Sequence, residues 1–139
     1  MKWETVGDHM NNYYKTPKHK GFDSKFEYDK YQELEILLKA KKIKELWIQY
    51  PLDLIVNGYL VGKYIMDFVI LHNDKTIELL ETKGLATDLW KYKYRILKAM
   101  YAGRPEIKIT VEFQKSWSRK TVQKEPIPKK LPKGYVPQF

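Results

Sequence analysis

The 139-residue sequence predicts one α/β domain, a central mixed β-sheet flanked by two helices in the order α-β-β-β-α-β. Three observations predict it. An amphipathic helical stretch opens the folded region, closely spaced strand signals follow it, and a second helical stretch separates these from a cleanly alternating last strand. A hydrophobic content of 43% suits one core of modest size.

The first helix is expected from about Ser24 to Lys41, with Asp23 or Ser24 as its N-cap. Phe26, Tyr31, Leu34, Leu37 and Leu38 form its apolar stripe, while Lys25, Asp29 and Gln32 face water. "ELWIQY" then reads as a strand. "LDLIVNGYLVGKYIMDFVI" reads as a hairpin that turns at Asn57-Gly58, the strongest short hairpin signal. "TIELLET" is the next strand, after a polar turn at His72 to Lys75. The second helix is expected to begin near Thr87 or Asp88 and to stop at Gly103, a natural residue beyond a helix end, with Pro105 following. In "EIKITVEF", Ile107, Ile109, Val111 and Phe113 point one way and Lys108, Thr110 and Glu112 the other. Residues 1–21 read as a polar arm. Residues 114–139, with Pro126, Pro128, Pro132 and Pro137 among many lysines, read as an extended basic tail. The folded domain is therefore expected over 22–113.

Composition narrows the function classes. The absence of cysteine excludes disulfides and thiolate metal sites and fits a reducing compartment. "MKWETVGDHM" has no apolar core of a signal peptide, and no apolar run approaches the roughly 20 residues that span a bilayer. A soluble, cytoplasmic protein without membrane contact is expected. His9, His19 and His72 are too scattered for local metal-ligand spacing, which argues against an HNH-type nuclease. No glycine-rich phosphate loop is present, so no nucleotide cofactor is expected. The net charge is +9, unevenly spread: residues 21–80 hold 8 Lys/Arg against 10 Asp/Glu, and residues 81–139 hold 14 against 5. A basic half beside an acidic half is a footprint of a nucleic-acid binder, with a solvated lysine surface as the plainer alternative.

The chemistry-bearing residues are Asp67, Glu81 and Lys83. Alternation puts Asp67 on a face with Ile65, Val69 and Leu71, and puts Glu81 and Lys83 on a face with Ile77 and Leu79. Carboxylates at the end of apolar strand faces must be paired, metal-bound or at the rim of a cleft. A three-residue loop, Asn73 to Lys75, sets Leu71 against Ile77 and Asp67 against Glu81; a two-residue turn sends Glu81 to the other face. Only the odd loop gathers the apolar residues on one side. Two carboxylates so placed suit a hard divalent cation, or else a carboxylate–ammonium network on a sheet edge. Glu27 looks toward the sheet with Tyr31, Leu34 and Leu38. Ser24-x-x-Glu27 is equally a capping box, which leaves its role open.

Glu27 on a first helix, then Asp67, then Glu81-x-Lys83 on a hairpin, then a basic helix resembles the PD-(D/E)xK nuclease superfamily. More narrowly, "FDSKFEYDKYQELEILL", "IQYP", "YIMDF" and "LETKG" are similar to a phage and prophage family of small nuclease-like proteins, related to Holliday-junction resolvases. The resemblance covers about residues 21–113, and Met66 stands where the superfamily's name has proline. It implies a restriction-endonuclease-like fold and a Mg²⁺ or Mn²⁺ site. Asp67, Glu81 and the Thr82 carbonyl would be the ligands, with Glu27 bound directly or through water. Lys83 would orient or deprotonate the attacking water, or steady the charge on the phosphate. It also implies a homodimer hydrolysing DNA to leave a 5′-phosphate, with branched DNA as the expected substrate. The alternatives are a nuclease subunit of a transposition or packaging machine acting on duplex DNA, and a DNA-binding protein without catalysis.

For the nucleic acid, Lys91, Arg95 and Lys98 fall at i, i+4 and i+7 of the second helix, opposite Leu89, Ile96 and Met100, which are expected in the core. Lys93 sits closer to the carboxylates. Trp90, Tyr92, Tyr94 and Tyr101 are expected to pack rather than to stack on bases. In the tail, Lys115, Arg119 and Lys120 are candidate DNA contacts and Trp117, Tyr135 and Phe139 candidate anchors, whether the tail clamps DNA, wraps a second subunit or only solubilises.

Overall fold

Among the described residues six elements follow in the expected order: α1 (Lys25–Lys39), β1 (Glu45–Val56), β2 (Tyr59–Leu71), β3 (Ile77–Lys83), α2 (Asp88–Tyr101) and β4 (Ile107–Phe113). The computed structural model describes residues 22, 24–115 and 122–137. The predicted arm at 1–21, the alternative cap Asp23, and Trp117, Arg119, Lys120 and Phe139 lie outside the described residues. The sheet runs β1-β2-β3-β4, antiparallel between the first three strands and parallel between β3 and β4, so it is mixed. One helix lies on each face. Leu34 of α1 packs with Phe22, Ile48, Phe68 and Leu80, while Trp90, Tyr94 and Leu97 of α2 pack with Trp47, Leu54, Met66 and Leu79.

Ser24 caps α1, its Oγ accepting from the Glu27 N–H at 3.1 Å. The helix ends two residues earlier than expected, and Lys41 then adopts φ 58. Leu37, expected in the apolar stripe, is 39% exposed. At about 100° per residue it lies some 80° around the helix from the inward line through Glu27, Leu34 and Leu38.

"ELWIQY" and "LDLIV", expected as separate strands, are one continuous β1. Pro51 is tolerated inside it because β1 is the edge of the sheet. At the hairpin tip Asn57 and Gly58 have φ 52 and 80, the pair of positive values that a two-residue turn matched to strand twist requires.

Midway along this hairpin both strands change faces. On β1, Leu46 and Ile48 pack toward α1, but Tyr50, Leu52 and Leu54 pack toward α2. The switch falls at Gln49, whose backbone has φ 50. Opposite it, β2 switches at Asp67: Tyr64 and Met66 pack toward α2, then Phe68 and Ile70 toward α1. Simple alternation, which groups Ile65 with Val69 and Leu71, therefore fails for Ile65. It is 40% exposed and sits at the lip of a cleft.

Thr87 caps α2, its Oγ1 accepting from Trp90 N–H at 3.2 Å. The buried face is Trp90, Tyr94 and Leu97, whereas Leu89, expected in the core, is 66% exposed and Ile96 and Met100 are half-buried. Trp90 and Tyr94 point inward, where their rings remove more apolar area from water than Leu89 would. Tyr92, expected to pack, stays at the surface with the Arg95 guanidinium 5.7 Å from its ring centroid.

The described part of the tail, 122–137, contains no helix or strand but is docked. Gln123 accepts from Ala86 N–H at 3.1 Å and donates to the Gly84 carbonyl at 2.7 Å. Glu125 accepts from the Tyr94 hydroxyl and from Lys98 Nζ, the latter at 2.7 Å. Among the described residues no helix is long and apolar enough to cross a membrane.

Candidate active site

The turn between β2 and β3 sets the site. His72 N–H bonds the Thr76 carbonyl and Lys75 N–H the His72 carbonyl, both at 2.9 Å, and Lys75 has φ 71. This is a three-residue loop, Asn73 to Lys75, closed by a left-handed residue. Asp74 stiffens it by accepting from the Thr76 N–H and hydroxyl. The ladder then pairs Leu71 with Ile77 and runs to Phe68 with Leu80, where it ends. Asp67 and Glu81 occupy the next step, as the odd loop requires.

Where the ladder stops, a side chain takes over. In phase with His72 and Thr76, the Thr82 N–H would bond the Met66 carbonyl. Instead it donates to Asp67 Oδ2 at 2.9 Å, and the Thr82 hydroxyl donates to the same oxygen at 2.8 Å. The N–H and carbonyl of one strand residue point the same way, so the Thr82 carbonyl also faces the opening between β2 and β3. The Lys83 carbonyl faces away and accepts from Gln114 N–H at 2.8 Å.

Glu81 is buried, and its Oε2 has no hydrogen-bond partner. Burial, and then the charge of Asp67, push its carboxyl well above the ordinary carboxylate range, and Glu27 adds to the effect. A hydrogen bond with Tyr64 and the charge of Lys83 pull it partly back. Tyr64 in turn accepts from Trp90 Nε1 at 2.7 Å, and Lys83 Nζ lies 5.1 Å from the Trp90 ring centroid. Burial and the neighbouring Glu81 raise the Tyr64 hydroxyl, which keeps it a donor.

Glu27 reaches the site indirectly. Ser24 supplies the helix cap, while the Glu27 carboxylate is buried and its Oε1 accepts from Gln49 Nε2. The same nitrogen lies 3.4 Å from Asp67 Oδ1. Among the described residues, no three Asp, Glu, His or Cys side chains are placed to hold a metal ion together. The donor set that does fit a divalent cation is smaller: Asp67, the unpartnered Oε2 of Glu81 and the inward Thr82 carbonyl, all hard oxygens.

These groups open into a cleft of about 520 Å³ that Asp67, Glu81 and Gln49 line together with Lys63, Lys83 and Lys93. Lys93 thus stands where the sequence placed it, on the cleft side of α2. Lys91, Arg95 and Lys98 lie on the opposite flank of the helix from Lys93 and Leu89. Lys98 is tied to Glu125, Lys91 lies 4.0 Å from Asp88, and Lys115 is exposed after β4. Gln49, Tyr64 and Lys63 are not singled out by the sequence reading. The signal available for Gln49 was a single amide inside the apolar run "LWIQY".

A family model described as a protein of unknown function (DUF1064) matches residues 14–122. The chain belongs to the DUF1064 family. The DUF1064 match contains Glu27, Gln49, Asp67, Glu81, Lys83 and Lys93, and hence every element that builds the cleft. No curated protein and no solved structure matches the chain.

Proposed function

We propose that this protein is a metal-dependent DNA endonuclease of the PD-(D/E)xK type that hydrolyses phosphodiester bonds, with branched DNA as its preferred substrate. One observation carries the reading. Asp67 and Glu81 stand side by side where the β2–β3 ladder opens, with Lys83 two residues on and lining the same cleft.

Asp67, Glu81 and the Thr82 carbonyl would hold Mg²⁺ or Mn²⁺. When bound, the cation supplies Lewis acidity toward the phosphate and lowers the pKa of its water. The chain's own residues do the rest. Thr82 fixes the Asp67 carboxylate through two hydrogen bonds to one oxygen, leaving Oδ1 on the Gln49 side. Tyr64 and Trp90 fix Glu81 from behind. Lys83 places positive charge beside the carboxylates, where it can orient the attacking water and offset charge building on the phosphate. Water oxygen bonds to phosphorus as the bond to the 3′ oxygen breaks, giving a 5′-phosphate and a 3′-hydroxyl. Lys63 and Lys93 supply charge for the flanking phosphates.

Ile55, Val56, Tyr59, Leu60 and Val61, around the tip of the β1–β2 hairpin, are exposed apolar residues, which supports a homodimer on DNA. The test is incubation of a labelled four-way junction and a plain duplex with Mg²⁺, beside Asp67→Ala and Lys83→Ala. Cleavage of the junction in preference to duplex, lost in both variants, is expected. Wild-type activity in both variants would overturn the nuclease reading, and equal cutting of duplex would overturn the preference for branches.

A further inference from the structure

Gln49 combines three features that a sheet does not need. Its backbone has φ 50 inside a strand, a conformation strained for any residue with a side chain. Its side chain is polar yet only 7% exposed. Its Nε2 reaches Glu27 Oε1 on α1 and, at 3.4 Å, Asp67 Oδ1 on β2. The strain and the face switch of both strands coincide at this residue and at Asp67 opposite it. The distortion is what turns an edge-strand amide into the space between the two carboxylates.

The carboxylates themselves do not form a three-acid cluster among the described residues. The Gln49 amide lies between the Glu27 and Asp67 carboxylates.

We infer that Gln49 is a positioning residue that couples Glu27 to the cation site: its carboxamide holds the Glu27 and Asp67 carboxylates to one another, and Glu27 acts on the cation through it. The inference rests on the metal-dependent reading above. It assigns Glu27 an outer position, where partners of metal ligands typically change affinity by roughly 10- to 100-fold when removed.

The test is Mn²⁺ affinity of the full chain without DNA, read from the paramagnetic resonance signal of free Mn²⁺. Gln49→Gly suits the left-handed backbone and removes the amide, and Gln49→Met keeps the side-chain length and removes both donors. Each is expected to weaken Mn²⁺ binding about tenfold, as is Glu27→Gln. The double variant Glu27→Gln/Gln49→Met is expected within about twofold of either single, because both remove one shared interaction. Wild-type affinity in the two Gln49 variants, or effects that multiply to about 100-fold in the double variant, would overturn the coupling while leaving the metal site standing. No Mn²⁺ binding by the wild-type chain would overturn the metal reading and the coupling with it.

Discussion

Thr82 donates both its backbone N–H and its hydroxyl to one oxygen of Asp67, at 2.9 and 2.8 Å. The carboxylate thereby replaces the main-chain acceptor that the ladder withholds at this step. Thr82→Val keeps the branched shape but loses one of the two donors, so a stability loss of about 1–2 kcal/mol is expected by urea unfolding. Thr82→Ser should lose clearly less. A loss in Thr82→Ser with none in Thr82→Val would mean that the methyl group, not the hydrogen bond, matters.

Glu81 makes stability depend on pH. Burial first, and the Asp67 charge second, raise its carboxyl well above the ordinary carboxylate range. The unfolded chain releases this proton near the ordinary value and the folded chain only at higher pH. Between the two the folded state binds more protons, so stability is fully present below the ordinary value and is lost as pH rises through the folded one. In the presence of EDTA, Glu81→Gln should melt higher than wild type, by a margin that grows from pH 4 toward pH 8. A constant margin would contradict this account.

Tyr64 links the core to the site, accepting from Trp90 Nε1 and hydrogen-bonding Glu81. Tyr64→Phe leaves the buried indole N–H without this acceptor, which costs about 1–3 kcal/mol in chemical denaturation. The variant should also require more Mg²⁺ for half-maximal cleavage. Unchanged stability would show that Tyr64 is not a structural partner of Trp90.

How much of this was legible in the sequence differs from residue to residue. Asn57-Gly58 fixes the first pairs of its hairpin, Val56 with Tyr59 and Ile55 with Leu60, before an irregularity between Leu54 and Ile55 shifts the register by one; the odd loop at Asn73 to Lys75 fixes the β2–β3 register, and both turns are found. With them came the juxtaposition of Asp67 and Glu81. The rotation of α2 was not legible, because Leu89 and Trp90 are adjacent and either stripe is apolar; the sheet's demand for bulk decides for Trp90. Gln49 was hidden for a different reason. A left-handed residue in mid-strand breaks the period-two rule on which strand reading rests, and only the packing of two faces reveals the switch.

Glu125 holds the segment after β4 against α2 through Tyr94 and Lys98. Burial opposes its ionisation, but those two hydrogen bonds outweigh it and keep its carboxyl below the usual range. Glu125→Ala should cost about 1–3 kcal/mol at neutral pH and increase proteolytic cutting within 122–137. An unchanged digestion pattern would show that the strap is held by Gln123 and packing instead.

On the proposed function, the opening between β2 and β3 binds the cation for phosphodiester hydrolysis. Anomalous diffraction from a crystal soaked in Mn²⁺ tests it most directly. A peak within bonding distance of both Asp67 and Glu81 is expected. A peak elsewhere, with none between these two carboxylates, would contradict it.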